Sequence, residues 1–448
     1  MNFARYLVAA LALGGCSAGM VAGPQGDSFV NPGVAPQPAG PAAKIHHVVI
    51  IFQENRTVDN LFNGLSGADT VRSAMNSHGQ SVALRPIRLT AHYDVSHEHS
   101  AYIVERANGK LNGFNRAQST CQIGQTCPPK DLRPYGYVPR DEIRPYFTMA
   151  QRYAFADRMF QTNQGPSFPA HQYILSGTST TDDGAPLRAA GNPFSPLGGF
   201  TGGCDSPGGS WVWLIDPMGN ENQATYPCFD RLALTDLLER KSLTWRYYQA
   251  HLGAGLWEGP DAIAHIRNSK SFATHVVAPP KQILGDIDAG RLADVVWVTP
   301  TAAASDHAGS TDGSGPSWVA SVVNAVGSSK YWNDTAIFVT WDDWGGWYDH
   351  VPPPQYNSYE LGFRVPLIVI SPYAKQHFVS HKRHEFGSIL KFVEETFNLG
   401  SMNTTDVRSD DLSDCFNFSQ RPAPFKKIDA PLPRSYFERQ PISYQDPD

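Results

Sequence analysis

Beyond its first sixteen residues the sequence has no apolar run approaching the roughly 20 residues that a membrane-spanning helix needs, and it has no block of like charges. The first absence excludes a transmembrane helix in the body of the chain. The second, with a formal net charge of −6, excludes the basic face that sequence-independent nucleic-acid binding requires. Cysteine is scarce, six in 448 residues, and the spacing matches no zinc-site pattern, so a structural zinc is not expected. There is no internal repeat. What remains is ordinary globular composition, 41% hydrophobic and 17% charged, with enough apolar material for a large core.

The N-terminus carries a processing signal. Arg5 supplies a short positive region and Tyr6 to Leu13 a short apolar one, followed by Leu13-Gly14-Gly15-Cys16. That run resembles the bacterial lipobox, in which Cys16 is lipidated after cleavage; a plain signal peptide is the simpler alternative. Residues 1–16 are therefore expected to direct export, to the periplasm, the outer membrane or the medium, and contact with a membrane is expected only through a lipid on Cys16. Residues 17–43, rich in Pro, Gly and Ala, read as a tether. An exported compartment permits disulfides, and Cys121 with Cys127 and Cys204 with Cys228 are the natural local pairs, leaving Cys415 over.

Apolar, β-rich runs recur at Ile45–Phe52, Ser242–Tyr248, Val295–Thr299, Thr335–Trp341 and Val365–Ser371. Helical patterns at Phe229–Arg240, Ser317–Val326 and Phe386–Phe397 lie among them. Such alternation predicts an α/β fold, a mostly parallel β-sheet sandwiched by helices. The domain is expected over 44–402, with 185–228 a cap insertion bounded by the second cysteine pair and 403–448 a Pro-rich C-terminal extension. In such sheets ligands gather at the carboxyl ends of the strands. Two polar clusters stand at such ends: Glu54-Asn55 after the first strand, and Asp342-Asp343 after Thr335–Trp341.

Adjacent carboxylates repel unless a cation or partner sits between them. Alone, Asp342-Asp343 is also compatible with a helix cap or a solvated turn. Oxygen ligands from Glu54, Asn55, Asp342 and Asp343 together would make a cage for one hard divalent cation. Ser167, in GPSFPAHQYILSGTS, falls at the start of a helix expected from about Pro169 to Leu175. It reads either as a helix cap or as a nucleophile beside a metal. Fifteen histidines are present, and His97 or His307 alone says little.

Taken in order, HHVVIIFQENRTVDNLFNG, the segment from Asp94 to His97 with GKLNGF, GPSFPAHQYILSG, LTWRYYQ, SDH at 305–307, WDDWGGWYDHVPPP, GFRVPLIVISPY and HEFGSILKFVEE resemble the bacterial phosphoesterases that include phospholipases C and acid phosphatases, a branch of the alkaline-phosphatase-like folds. The resemblance runs from about His46 to Leu399. It implies an alkaline-phosphatase-like sheet and a hydrolase acting on phosphate esters. Glu54, Asn55, Asp342 and Asp343 would be metal ligands, Ser167 a nucleophile passing through a phosphoserine, and His97 and His307 phosphoryl contacts or proton donors. His171, His350 and His384 also fall in family segments and are expected at the substrate. Phospholipase members carry Thr at the nucleophile and Asn-Arg shortly after, where this sequence has Ser167, Ala170 and His171. That departure looks more like the acid-phosphatase side. A sulfatase or phosphonate hydrolase would need an Arg where His171 stands. A non-catalytic surface lipoprotein is the remaining alternative.

Overall fold

The computed structural model describes residues 44–445. The expected signal peptide, lipobox and tether lie outside the described residues. Among these residues no helix is long and apolar enough to cross a membrane.

The centre of the fold is an eight-stranded sheet. Numbered along the chain, its strands are β1 (His47–Gln53), β2 (Ala154–Ala156), β3 (Trp245–Tyr248), β4 (Val276–Val277), β5 (Val295–Val298), β6 (Thr335–Trp341), β7 (Leu367–Ile370) and β8 (Phe378–Ser380). They lie in the order β4-β3-β5-β1-β6-β7-β2-β8. Only β7 is antiparallel to its neighbours, so seven strands point the same way. β1 and β6 sit side by side in the middle, and nearly every residue of both is buried. Continuous β-branched runs such as VVII suit that position, because a central parallel strand faces helices on both sides.

The helices that cover the sheet include Arg144–Arg152, Ser167–Ser176, Gly315–Gly327 and Phe386–Phe397. All ten residues of Ser167–Ser176 are buried, its polar Ser167, His171, Gln172 and Ser176 included. It begins two residues before the expected Pro169, because Pro in the first turn costs no intrahelical hydrogen bond. It ends at Gly177, which adopts φ +65°, with Thr404 Oγ1 donating to Ser176 O at 3.0 Å and Thr405 Oγ1 to Gly177 O at 3.0 Å. Segment 403–445 thus grips this helix, and it adds Phe416, Ile428 and Phe437 to the core.

Several expected elements are shorter than their sequence patterns, the strand expected at Val365–Ser371 covering only Leu367–Ile370. The helix at Phe229–Arg240 starts only at Leu234, since Phe229 bridges to Ile263 and Arg231 reaches back to Thr180 O. The strand expected from Ser242 starts at Trp245, since Ser242 turns with φ +57°. Residues 185–228 hold a three-stranded antiparallel sheet (188–189, 212–215, 223–225). Disulfides join Cys121 to Cys127 and Cys204 to Cys228, and Cys415 is free and buried.

Candidate active site

Register builds the centre of the site. β1 and β6 are parallel and pair His47 with Thr335 through Gln53 with Trp341. The next residues on each strand, Glu54-Asn55 and Asp342-Asp343, therefore emerge side by side at the same edge of the sheet. Asp342 N donates to Gln53 O at 3.0 Å and Arg56 N to Asp343 O at 3.0 Å, which extends the pairing past the strands. Asn55 has φ +63°, a left-handed conformation that Asn tolerates better than most residues. Gly345 is required beside it: a Cβ there would lie 2.4 Å from Asn55 O. All four polar side chains are fully buried.

Ser167 comes to this cluster from the other direction. It is the first residue of its helix, and its Oγ lies 3.4 Å from Glu54 Oε2 and 3.5 Å from Asp343 Oδ2. The capping position belongs to Pro166 and Ser167 makes no capping hydrogen bond, so the cap reading of this serine is set aside. Gly165 permits the approach, since a Cβ there would meet Tyr359 Oη at 2.3 Å and Ala190 O at 2.6 Å. The helix's Phe168 N–H is taken by Asn192 Oδ1 at 3.0 Å, from the 185–228 segment.

Hydrogen-bond direction shows which atoms are left to bind something. His97 Nδ1–H donates to Val95 O at 2.9 Å, so its Nε2 accepts from Asn55 Nδ2 at 3.1 Å. That leaves Asn55 Oδ1 buried without a hydrogen-bond partner. Asn55 N–H donates to Asp342 Oδ1 at 3.0 Å, and Asp342 Oδ2 is likewise buried without one. Asp343 Oδ1 accepts from Gly345 N at 2.7 Å, which turns its other oxygen to Ser167. Buried polar atoms are normally satisfied, and orphaned oxygens among carboxylates fit a hard divalent cation. The structure brings Glu54, Asn55, Asp342 and Asp343 together at one edge of the sheet, with oxygens that could hold such an ion.

His171, one helical turn beyond Ser167, points its Nε2 at Glu54 Oε1, 3.3 Å away, and its Nδ1 at Tyr247 Oη, 3.3 Å away. Burial pulls its pKa down to about 4 despite the opposing pull of Asp342, so the ring is neutral. His307 lies edge-on to His97, with centroids 5.8 Å apart, and its Nδ1–H donates to Ala308 O at 2.7 Å, which makes Nε2 the acceptor nitrogen. A cleft of about 390 Å³, lined by Ser96, His97, Gln118 and Phe200 among others, opens onto His97.

His350 and His384 do not join the cluster. His350 is held by Asp59 at 2.6 Å and Asp69 at 3.1 Å, beside an Arg364–Asp349 ion pair. His384 is held by Asp410 at 2.8 Å and Ser380 at 3.2 Å. Each already has its partners, and neither reaches the residues around Ser167. Neither hydrogen-bonds to Ser167, Glu54, Asn55, Asp342 or Asp343; both are bound to acidic residues of their own.

Residues without an assigned role in the sequence also shape the site. Arg56, fully buried, donates from Nε to Asp306 O at 2.8 Å and from Nη2 to Leu89 O at 2.9 Å, and lies 5.1 Å from the Trp347 ring. It ties the loop bearing His307 to the end of β1. Burial holds the Asp306 carboxyl up at about 6, against Arg56 and the Trp341 Nε1–H at 2.9 Å. Arg56 was visible only as part of an unusually polar strand end, and its partner, 250 residues away, was not visible.

The chain belongs to the Phosphoesterase family, whose model matches residues 45–400. It is similar to the non-hemolytic phospholipase C of Pseudomonas aeruginosa, 25% identical over 435 residues that cover 84% of this chain and 57% of that protein. It is also similar to phospholipase C A of Mycobacterium tuberculosis, 26% identical over 455 residues, covering 87% and 80%. Among solved structures, a protein of the alkaline phosphatase superfamily from Vibrio parahaemolyticus aligns over 86% of this chain and 74% of that one, with a TM-score of 0.38 and 12% identity. A likeness that slight adds nothing to the family assignment.

Proposed function

We propose that this protein is a metal-dependent phosphoesterase that hydrolyses phosphate esters through a phosphoserine on Ser167. One observation carries the reading: a buried serine hydroxyl sits within 3.5 Å of two carboxylates, in a pocket where Asn55 Oδ1 and Asp342 Oδ2 have no hydrogen-bond partner. A divalent cation held by Glu54, Asn55, Asp342 and Asp343 would lower the pKa of the Ser167 hydroxyl and polarise a phosphoryl oxygen. Ser167 Oγ, its proton passing to Glu54 Oε2 at 3.4 Å, attacks phosphorus as the bond to the departing alcohol breaks; water then attacks the phosphoserine from the vacated side, the Oγ–P bond breaks, and phosphate leaves as Oγ regains a proton. Phosphoryl transfer depends mainly on positioning and on stabilising charge at the non-bridging oxygens. His307, edge-on to His97, would contact those oxygens or, protonated at Nε2, give the leaving oxygen its proton, whereas both ring nitrogens of His97 are engaged by Val95 O and the Asn55 amide. His97 also steadies the Asn55 amide.

The relatives' names favour a phospholipid as the ester, and Phe200 in the cleft beside His97 supplies an apolar wall for one. Metal analysis of the purified protein, paired with turnover of p-nitrophenyl phosphate and its phosphorylcholine ester, tests the proposal. The expected result is one bound divalent ion per chain and EDTA-sensitive release of p-nitrophenol. Absence of turnover on both esters in metal-loaded protein overturns it.

A further inference from the structure

His171 Nε2 and Glu54 Oε1 face each other 3.3 Å apart, both fully buried. Tyr247 has one hydroxyl proton, and it goes to Trp257 O at 2.8 Å. Tyr247 Oη is thereby open to accept from His171 Nδ1–H at 3.3 Å, the tautomer that leaves the Nε2 lone pair facing Glu54. That lone pair lies 3.3 Å from Glu54 Oε1, itself an acceptor. The opposite tautomer would need the hydroxyl to abandon the nearer carbonyl for the more distant nitrogen. The ring has little freedom to turn away. It is fully buried, with Phe52 edge-on at 5.9 Å and Trp257 stacked at 6.3 Å. Two acceptors held face to face in a dry site call for a positive charge shared by both. Ligand atoms of Glu54, His171 and Asp342 all fall within 4.8 Å of one another, close enough to share one ion.

We propose that His171 Nε2 is a ligand of the active-site cation, with Tyr247 as the outer partner that fixes its tautomer. The sequence placed His171 at the substrate; the geometry turns it towards the metal. The inference rests on the phosphoesterase reading. It also gives the site a preference: an imidazole nitrogen among carboxylates favours Fe²⁺, Co²⁺ or Zn²⁺ over Mg²⁺ or Ca²⁺. Tyr247 acts as a positioning residue, in the way that outer hydrogen-bond partners orient metal-bound histidines.

The test is pulsed electron paramagnetic resonance on the full-length protein loaded with Mn²⁺. The wild type is expected to display ¹⁴N modulation from a directly bound imidazole. His171→Gln is expected to lose it and to bind Mn²⁺ at least ~10-fold more weakly. Tyr247→Phe is expected to keep the modulation but weaken binding by roughly 10-fold, the lower end of the range for outer partners. His97→Gln is expected to keep it, which separates the two nearby rings and needs no folded His171 variant. Mn²⁺ bound to the wild type without ¹⁴N modulation, or modulation lost in His97→Gln and retained in His171→Gln, overturns the assignment and leaves the phosphoesterase reading intact. Failure of the wild type to bind Mn²⁺, Co²⁺ or Zn²⁺ at all overturns both.

Discussion

Asn55 and His97 share a hydrogen bond, Nδ2 to Nε2 at 3.1 Å, that decides which end of the Asn55 amide faces the carboxylates. Without the imidazole the amide is free to flip and present NH₂ where an oxygen is needed. His97→Ala should therefore weaken divalent metal binding as well as turnover, by roughly 10-fold in affinity. Calorimetric titration of the metal-free variant measures this. A loss in turnover with unchanged metal affinity would confine His97 to the phosphoryl group.

Ser167→Ala should reduce turnover by at least ~100-fold, the scale of losing a nucleophile or a key stabiliser. Ser167 Oγ offers the cluster only two long contacts, at 3.4 and 3.5 Å, so the melting temperature should change little. Trapping with radiolabelled substrate at low pH should label the wild type and not the variant.

Asp343→Asn should abolish the response to metal. Its Oδ1 accepts from Gly345 N, and an amide placed there turns a donor towards either that N–H or Ser167. Turnover before and after EDTA, with Mn²⁺ restored, should differ strongly in the wild type and hardly in the variant.

Gly345→Ala tests the packing under the site. The substitution places a methyl 2.4 Å from Asn55 O at φ +60°. Backbone strain of this kind costs about 1–3 kcal/mol. Denaturant unfolding should register the loss, and metal affinity should fall with it because the neighbour displaced is a proposed ligand, Asn55.

Stability should decline at alkaline pH through Glu394. Burial pushes its carboxyl up to about 8, with Asp406 adding to the rise against the Met402 N–H at 3.0 Å. The folded chain thus holds a proton that the unfolded chain has released. The stability that proton confers is complete below the ordinary carboxyl range and is lost as pH rises to about 8. Melting temperatures at pH 5 and pH 9 should differ less in Glu394→Gln than in the wild type.

The centre of the sheet was legible because long β-branched runs announce themselves, and β1 and β6 fall where such runs stand. The strands β2, β4 and β8, two or three residues each, carry no period to read. The polar quartet was legible because two polar pairs close two apolar strands; that they meet follows from neighbouring parallel pairing. The histidines were harder. A sequence gives the residue and not its partner, and His350 finds Asp59 across 291 positions. Ser167 could be separated from a cap only once Pro166 was seen to hold the capping position. The direction of His171 depended on Tyr247, whose hydroxyl commitment to Trp257 O exists only in three dimensions.

The two threonines that fasten Ser176 and Gly177 have a reach beyond their own neighbourhood. A ten-residue helix is a rod of ~15 Å, stiff enough to carry a shift at one end to the other. The tail of the chain therefore holds the distant end of a lever whose near end is the Ser167 hydroxyl, and loosening that grip would shift that hydroxyl away from Glu54 and Asp343 without altering either carboxylate.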